Sequence, residues 1–279
     1  MTLLLAALFF ISQPVANMHR HPDPTCEVVT QSSYAQPVTI VNEAQGWRQI
    51  ETPDGYVGWV DARAVTERDE PYPQTTLVAR TTTLCTHIYR SPDTTPSPPA
   101  LSLPFGTKIE LLSDGGDQRW HRCRLIDGQE QWIQRGDFTI DHTPLTLDEM
   151  LSLSREFIGI PYTWGGTTSF GFDCSGFVQL LYRQMGIDLP RDSQQQAMCD
   201  SSHPVGLDQI EPGDLLFFGK LGITHVALYL GDGRYIHSDV VFGSGRPTVR
   251  IDELGSASGH LHPLICARRI GSSRRSPRG

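Results

Sequence analysis

Cys174 stands between Asp173 and Ser175, just ahead of a run in which Phe177, Leu181 and Met185 recur four apart. Val178 and Tyr182 lie beside them and Gly186 supplies a stop, so the spacing predicts a helix beginning close to Cys174. A thiol in the first turn of a helix feels the positive end of the macrodipole, which lowers its pKa and raises its thiolate fraction. A lone cysteine there is more often inert, so the chemistry needs partners. Two histidines supply them. In "THVALYLGDGRYIHS", apolar and β-branched residues flank Gly231-Asp232-Gly233, which predicts a hairpin. His225 opens its first strand and His237 falls near the end of its second. A two-residue turn at Gly231-Asp232 sets His237 opposite Val226, beside His225 but on the other face; direct contact then needs a bulge or a wider turn. Each histidine alone also fits a strand residue bonded to backbone. As a set, Cys174, His225 and His237 offer the nucleophile, base and orienter of a generalised triad.

The elements that must position these residues lie in the last half of the chain. "LTLDEMLSLSREFIG" predicts a helix with Thr146 as N-cap, Glu149 completing a capping box and Gly159 as the stop. Helical and β segments then alternate, which indicates an α+β domain over residues 143–270. Ahead of it the grammar is different. Residues 13–70 and 71–142 alternate short β-rich runs with turns ("CEVVT", "PVTIV", "WRQIET", "DGYVGWV"; then "TLVAR", "TKIELL", "RWHRCRLI", "EQWIQ"). That spacing suggests two small antiparallel all-β barrels. They share a weak repeat, with Trp47 and Trp120 each followed about a dozen residues later by Trp59 and Trp132, and this is similar to the bacterial SH3-like pattern. "SPDTTPSPPALSLP" is too rich in proline for a strand or helix and reads as a long loop inside the second barrel.

Composition excludes some functions. The chain has 279 residues and a formal charge of −8, which argues against a general nucleic-acid binder. Six scattered cysteines form no C-x-x-C pair, so neither a zinc site nor a disulfide framework is indicated, and most are expected as small buried residues. No metal or organic cofactor is implied, because a thiol–imidazole pair is a complete catalyst. The apolar segment at residues 1–12 resembles a signal-peptide core but lacks a preceding Lys or Arg, and it is too short to span a bilayer. It reads either as a cleaved signal or as a packed or disordered first segment, and no stable membrane insertion is expected. Residues 271–279 read as a basic solvated tail.

"FIGIPYTWGGTTSFGFDCSGFVQLLY", "LPRDSQQQA", "EPGDLLFF" and "THVALYLGDGRYIHS" together resemble the NlpC-type cysteine peptidase family. The resemblance implies a papain-like fold and cleavage of peptidoglycan stem peptides at the bond between γ-D-glutamate and a diamino acid. It makes Cys174 the nucleophile, His225 the general base and His237 the orienting residue. Tyr162 takes the position of an oxyanion donor, with the Cys174 backbone N–H as the second. Trp164, Gly165 and Gly166 are structural on this reading, and Asp214 caps or braces a strand outside the site.

Some relatives with SH3-like domains accept only fragments with a free N-terminal L-alanine. There the amine is held by the residues flanking the cysteine and by a barrel tyrosine, which match Asp173, Ser175 and Tyr56; Ser193 in "RDS" matches a further substrate contact. Asp173 also suits a plain helix N-cap, and Tyr56 a packed barrel aromatic. With the amine pocket the protein is a cytoplasmic recycling enzyme acting on released peptides. If the N-terminus is a signal, it is instead an exported or periplasmic hydrolase of intact peptidoglycan. A non-catalytic wall-binding protein and an acyltransferase are the remaining alternatives, and the oligomeric state stays open.

Overall fold

Short strands that each bury part of their length build the first part of the chain. Strands β1 (Leu8–Ile11), β2 (Val15–His19), β3 (Val28–Ser33), β4 (Pro37–Ala44), β5 (Trp47–Glu51), β6 (Val57–Asp61) and β7 (Val65–Arg68) form a seven-stranded sheet in the order β3-β2-β6-β5-β4-β1-β7. Strands β8 (Val78–Thr81), β9 (Cys85–Tyr89), β10 (Leu101–Pro104), β11 (Lys108–Leu111), β12 (Trp120–Arg124), β13 (Glu130–Gln134) and β14 (Phe138–Thr139) form a second, in the order β10-β9-β13-β12-β11-β8-β14. The second order is the first shifted along by a full set of strands. The tryptophan repeat falls at matching places: Trp47 and Trp120 open β5 and β12, while Trp59 and Trp132 lie in β6 and β13. The computed structural model describes residues 7–113, 118–240, 246–255 and 263–271. It divides into two compact units, Met1–Thr143 with Thr168–Phe170, and Pro144–Thr167 with Gly171–Gly279.

Two expectations change here, and the described part of the N-terminal run takes its packed alternative. The apolar run at the N-terminus is not separate from the first sheet: β1 pairs with both β4 and β7, and Phe10 and Ile11 are buried. Residues 1–6 lie outside the described residues, as does the basic tail beyond Gly271. Within the proline-rich segment, Leu101–Pro104 is a strand and not loop. It is tolerated because β10 stands at the edge of its sheet, where Pro104 needs no partner on its open side. The cysteines are less buried than expected, since Cys85 is exposed and Cys26, Cys199 and Cys266 are half-buried; none of the six is in a disulfide.

The second unit carries helices α1 (Leu147–Glu156), α2 (Cys174–Gln184) and α3 (Ser193–Met198), with the short strands β15 (Thr167–Thr168) and β16 (Gly171–Phe172) between the first two. The Thr146–Glu149 capping box starts α1 as its residue types require, and Gly159 follows with φ of 91°. Strands β17 (Ser202–Val205), β18 (Leu215–Phe218), β19 (His225–Gly231), β20 (Arg234–Asp239), β21 (Thr248–Glu253) and β22 (Leu264–Ile270) form an antiparallel sheet in the order β17-β22-β18-β19-β20-β21. Helix α2 packs across β19 and β20. An edge-to-face cluster of Phe157, Phe172 and Phe177, with ring centroids 5.4 to 6.1 Å apart, joins the end of α1 to the start of α2. All three rings are fully buried, each contributing about 2–3 kcal/mol of transfer free energy. Among the described residues no helix is long and apolar enough to cross a membrane.

Candidate active site

Asp173 sets the position of the thiol. Its extended backbone (φ −90°, ψ −179°) turns into α2, and its Oδ1 accepts the Gly176 N–H at 2.7 Å, which fixes Cys174 as the first helical residue. The turn before it lies directly on the helix start. A Cβ on Gly176 would stand 2.1 Å from the Gly166 carbonyl oxygen, and one on Gly166 would stand 2.4 Å from the Gly171 carbonyl oxygen. Gly165 adopts φ of 76°, so the two glycines after Trp164 serve close backbone approach.

Asp173 has further partners. Arg191 grips both carboxylate oxygens, and the Gly165 N–H donates to Oδ2 at 3.1 Å. Nη1 of Arg191 donates to Ser175 Oγ at 2.8 Å, and Ser175 Oγ donates to Asp173 Oδ1 at 3.3 Å. Both members of the ion pair are buried. Gln196 of α3 adds a second tie, its Nε2 donating to the Ser175 carbonyl at 3.1 Å. The helix-cap role that the sequence allowed for Asp173 is therefore present.

The surroundings of the sulfur disfavour the thiolate. Burial, and then the Asp173 charge, push Cys174 up to about 12, although the Val226 N–H, Arg191 and the Ser175 N–H pull the other way. This overturns the expectation from the helix dipole. At a fully desolvated sulfur beside a carboxylate, the partial charge of one helix end loses. A nucleophilic role for this sulfur would need a base to remove its proton. Residue 226, whose amide faces the sulfur, is next to His225.

The histidines meet because the hairpin contains a bulge. Leu228 faces Ile236 and Tyr229 faces Tyr235, but Gly231 faces Arg234, so the register slips by one near the turn. Counting on from Leu228 and Ile236 puts His237 opposite Ala227, on the same face as His225. Their rings sit edge to face, with His225 Nε2 and His237 Nδ1 2.8 Å apart. His237 Nε2 lies 3.0 Å from Asp252 Oδ2, and both histidines are buried. Burial lowers the His237 pKa despite Asp252. Burial alone would raise Asp252, yet His237 and Arg250 hold its carboxyl below the usual range. Ser238 Oγ donates to the Phe172 carbonyl at 2.7 Å, tying β20 to the strand that leads into Asp173.

Tyr162 is half-buried; its N–H donates to the Pro247 carbonyl at 3.0 Å, and it bridges to Phe172. Burial, then Cys174 and Asp173, push its phenol up, so it remains a donor near the sulfur. Ser193 opens α3 and is half-buried. Tyr56 is in the other unit, in the turn between β5 and β6. Asp214 accepts two donors of Arg269, at 2.8 and 2.9 Å, and braces β22 outside the site. His225, His237 and Asp239 bring ligand atoms within 4.8 Å of one another, but Arg250 already occupies Asp239 at 2.9 Å.

Residues 159–250 match the NlpC/P60 family, and residues 12–67 match a bacterial SH3 domain. The chain belongs to the NlpC/P60 family. It carries that family's cysteine peptidase domain behind an SH3 domain. It is 34% identical over 230 residues to a gamma-D-glutamyl-L-lysine dipeptidyl-peptidase of Bacillus cereus, a match covering 75% of this chain and 66% of that protein. The Bacillus subtilis protein of the same name is 29% identical over 76% of this chain and 72% of its own length. A crystal structure of an NlpC/P60 family protein from Bacillus cereus superposes with a TM-score of 0.81 at 27% identity, over 95% of this chain and 99% of that one.

Arg191, Gln196, Arg250 and Asp252 were missed in the sequence. Period-two spacing was the available signal for the last two, since Arg250 and Asp252 share a face of β21 as His237 and Asp239 share one of β20. Nothing local marks Arg191 as the partner of Asp173.

Proposed function

We propose that this NlpC/P60 protein is a thiol peptidase that hydrolyses the γ-D-glutamyl–diamino acid bond of peptidoglycan stem peptides. The observation that carries the reading is the hydrogen-bonded line from half-buried Asp252 through buried His237 to buried His225, beside a thiol at the start of α2. On this mechanism His225 takes the Cys174 proton while the sulfur attacks the γ-carbonyl. The Tyr162 hydroxyl and the Cys174 N–H face the developing oxyanion. His225 then gives its proton to the departing amine of the diamino acid. Water, deprotonated by the same imidazole, opens the thioester and restores the thiol.

We further infer a preference for peptides with a free N-terminal L-alanine. The relatives' name, dipeptidyl-peptidase, describes release of a dipeptide from an N-terminus. Ser175, Ser193 and Tyr56 are the contacts we assign to that end. Asp173 contributes acceptor oxygens whose charge Arg191 already balances, so local hydrogen bonding does more than net attraction. The second sheet is a further SH3-like domain on this reading, as its matching strand order suggests. The papain-like description of the second unit rests on helix α2 carrying the nucleophile against a sheet carrying the base.

Mass-spectrometric assay of L-Ala-γ-D-Glu-diaminopimelate and its lysine counterpart, beside their N-acetylated forms and intact peptidoglycan, tests both levels. Release of L-Ala-γ-D-Glu from the free peptides alone is expected, with no turnover by Cys174→Ala or His225→Ala at unchanged circular dichroism. Cleavage of acetylated peptide and polymer would remove the amine preference and favour an envelope hydrolase. Turnover by Cys174→Ala would remove the mechanism.

A further inference from the structure

We propose that Asp252 is a positioning residue that sets the tautomers of both histidines and so places the basic lone pair of His225 on Nδ1. This rests on reading Cys174 and His225 as the catalytic pair. The assignment follows from what each atom can do. A carboxylate only accepts, so the 3.0 Å contact between Asp252 Oδ2 and His237 Nε2 makes that nitrogen the N–H of a neutral imidazole. His237 Nδ1 is then an acceptor. Its 2.8 Å neighbour, His225 Nε2, must be the donor. With the proton of neutral His225 on Nε2, only Nδ1 remains to receive one. The alternative tautomer of His237 would face Asp252 with a lone pair and would move the proton of His225 to Nδ1, abolishing the base.

Asp252 is itself held in place. The Arg250 Nε donates to Asp252 Oδ2 at 3.0 Å, and Arg250 Nη2 donates to Asp239 Oδ2 at 2.9 Å. In the β20–β21 ladder His237 faces Arg250 and Tyr235 faces Asp252, so Asp252 is the diagonal neighbour of His237 on one sheet face. Arginine between two carboxylates keeps Asp252 ionised, which is the state that compels His237 to donate.

Long-range ¹H–¹⁵N correlation spectra of ¹⁵N-histidine-labelled full-length protein test this. A Cys174→Ala background removes the thiol as a proton donor to His225 and makes the readout independent of peptidase activity. Nε2–H signals are expected from both His225 and His237. With Asp252→Ala added, His237 should lose its fixed tautomer and show a Nδ1–H population. In the Cys174-containing enzyme, Asp252→Ala should lower kcat by roughly 10²- to 10⁴-fold, the scale set by a wrongly protonated catalytic imidazole. KM should stay within about threefold, and Asp252→Glu, which keeps an acceptor-only carboxylate for His237, should recover part of the loss. Nδ1–H on either histidine of the Cys174→Ala protein overturns the proposal, and this holds even if Asp252→Ala fails to fold. So does wild-type kcat in Asp252→Ala. If wild-type enzyme cleaves no stem peptide yet the spectra show both Nε2–H tautomers, the substrate reading fails and the relay stands.

Discussion

On the proposed mechanism, a thiol pushed up to about 12 gives His225 a demanding task, because proton transfer has to accompany attack. Arg191 makes the arrangement tolerable by neutralising Asp173 beside the sulfur. His237 is the other residue whose titration matters. Its pKa in the folded protein lies below the ordinary 6.5, burial being the main cause. In the unfolded chain the imidazole takes up a proton sooner, so below that value the unfolded state binds more protons and stability falls. The stabilising contribution is therefore present above pH 6.5 and lost as pH drops through the lower folded value. Melting temperatures between pH 7.5 and pH 5 should decline. His237→Gln should decline less steeply over the same interval, and an equal slope would show that other groups carry the effect.

At the scale of elements, the site depends on how closely a turn approaches a helix. The 163–166 turn presents its last carbonyl oxygen to the first turn of α2, in space that only a residue without a Cβ leaves open. Gly176→Ala should therefore destabilise the second unit by about 1–3 kcal/mol or more, through overpacking against backbone. A urea titration would register this as a lower midpoint at unchanged slope, and an unchanged midpoint would mean that the helix start can shift. The hairpin makes a similar point. One bulge near Gly231 rotates His225 and His237 onto a common face, and without it the second histidine would point away from the first.

For the whole molecule, two β modules of the same strand order precede a catalytic unit, and the first matches a bacterial SH3 domain. The proposed role of Tyr56 is the functional link between that domain and the peptidase. Tyr56→Phe should weaken capture of the free-amine peptide by roughly tenfold in kcat/KM, the cost of one hydrogen bond to a charged group. Comparing free and N-acetylated peptides in both proteins checks it: equal kcat/KM for wild type and variant on the free peptide would remove the barrel from substrate recognition.

Much of this was legible before folding. Helix α2 starts at Cys174, and α1 carries its capping box, because these are local decisions set by side-chain oxygens within three residues of an orphan N–H. The β modules were readable from turn residues and tryptophan spacing, and the candidate nucleophile and base from residue type and order. Other features were decided by tertiary structure. The apolar N-terminal run becomes β1 because partners far along the chain cover it, and Leu101–Pro104 becomes a strand because a sheet edge accepts proline. The thiol pKa is raised because burial and a neighbouring carboxylate outweigh the helix dipole. Desolvation, register and diagonal contacts such as His237 to Asp252 depend on chain segments meeting in space, and no local pattern encodes them.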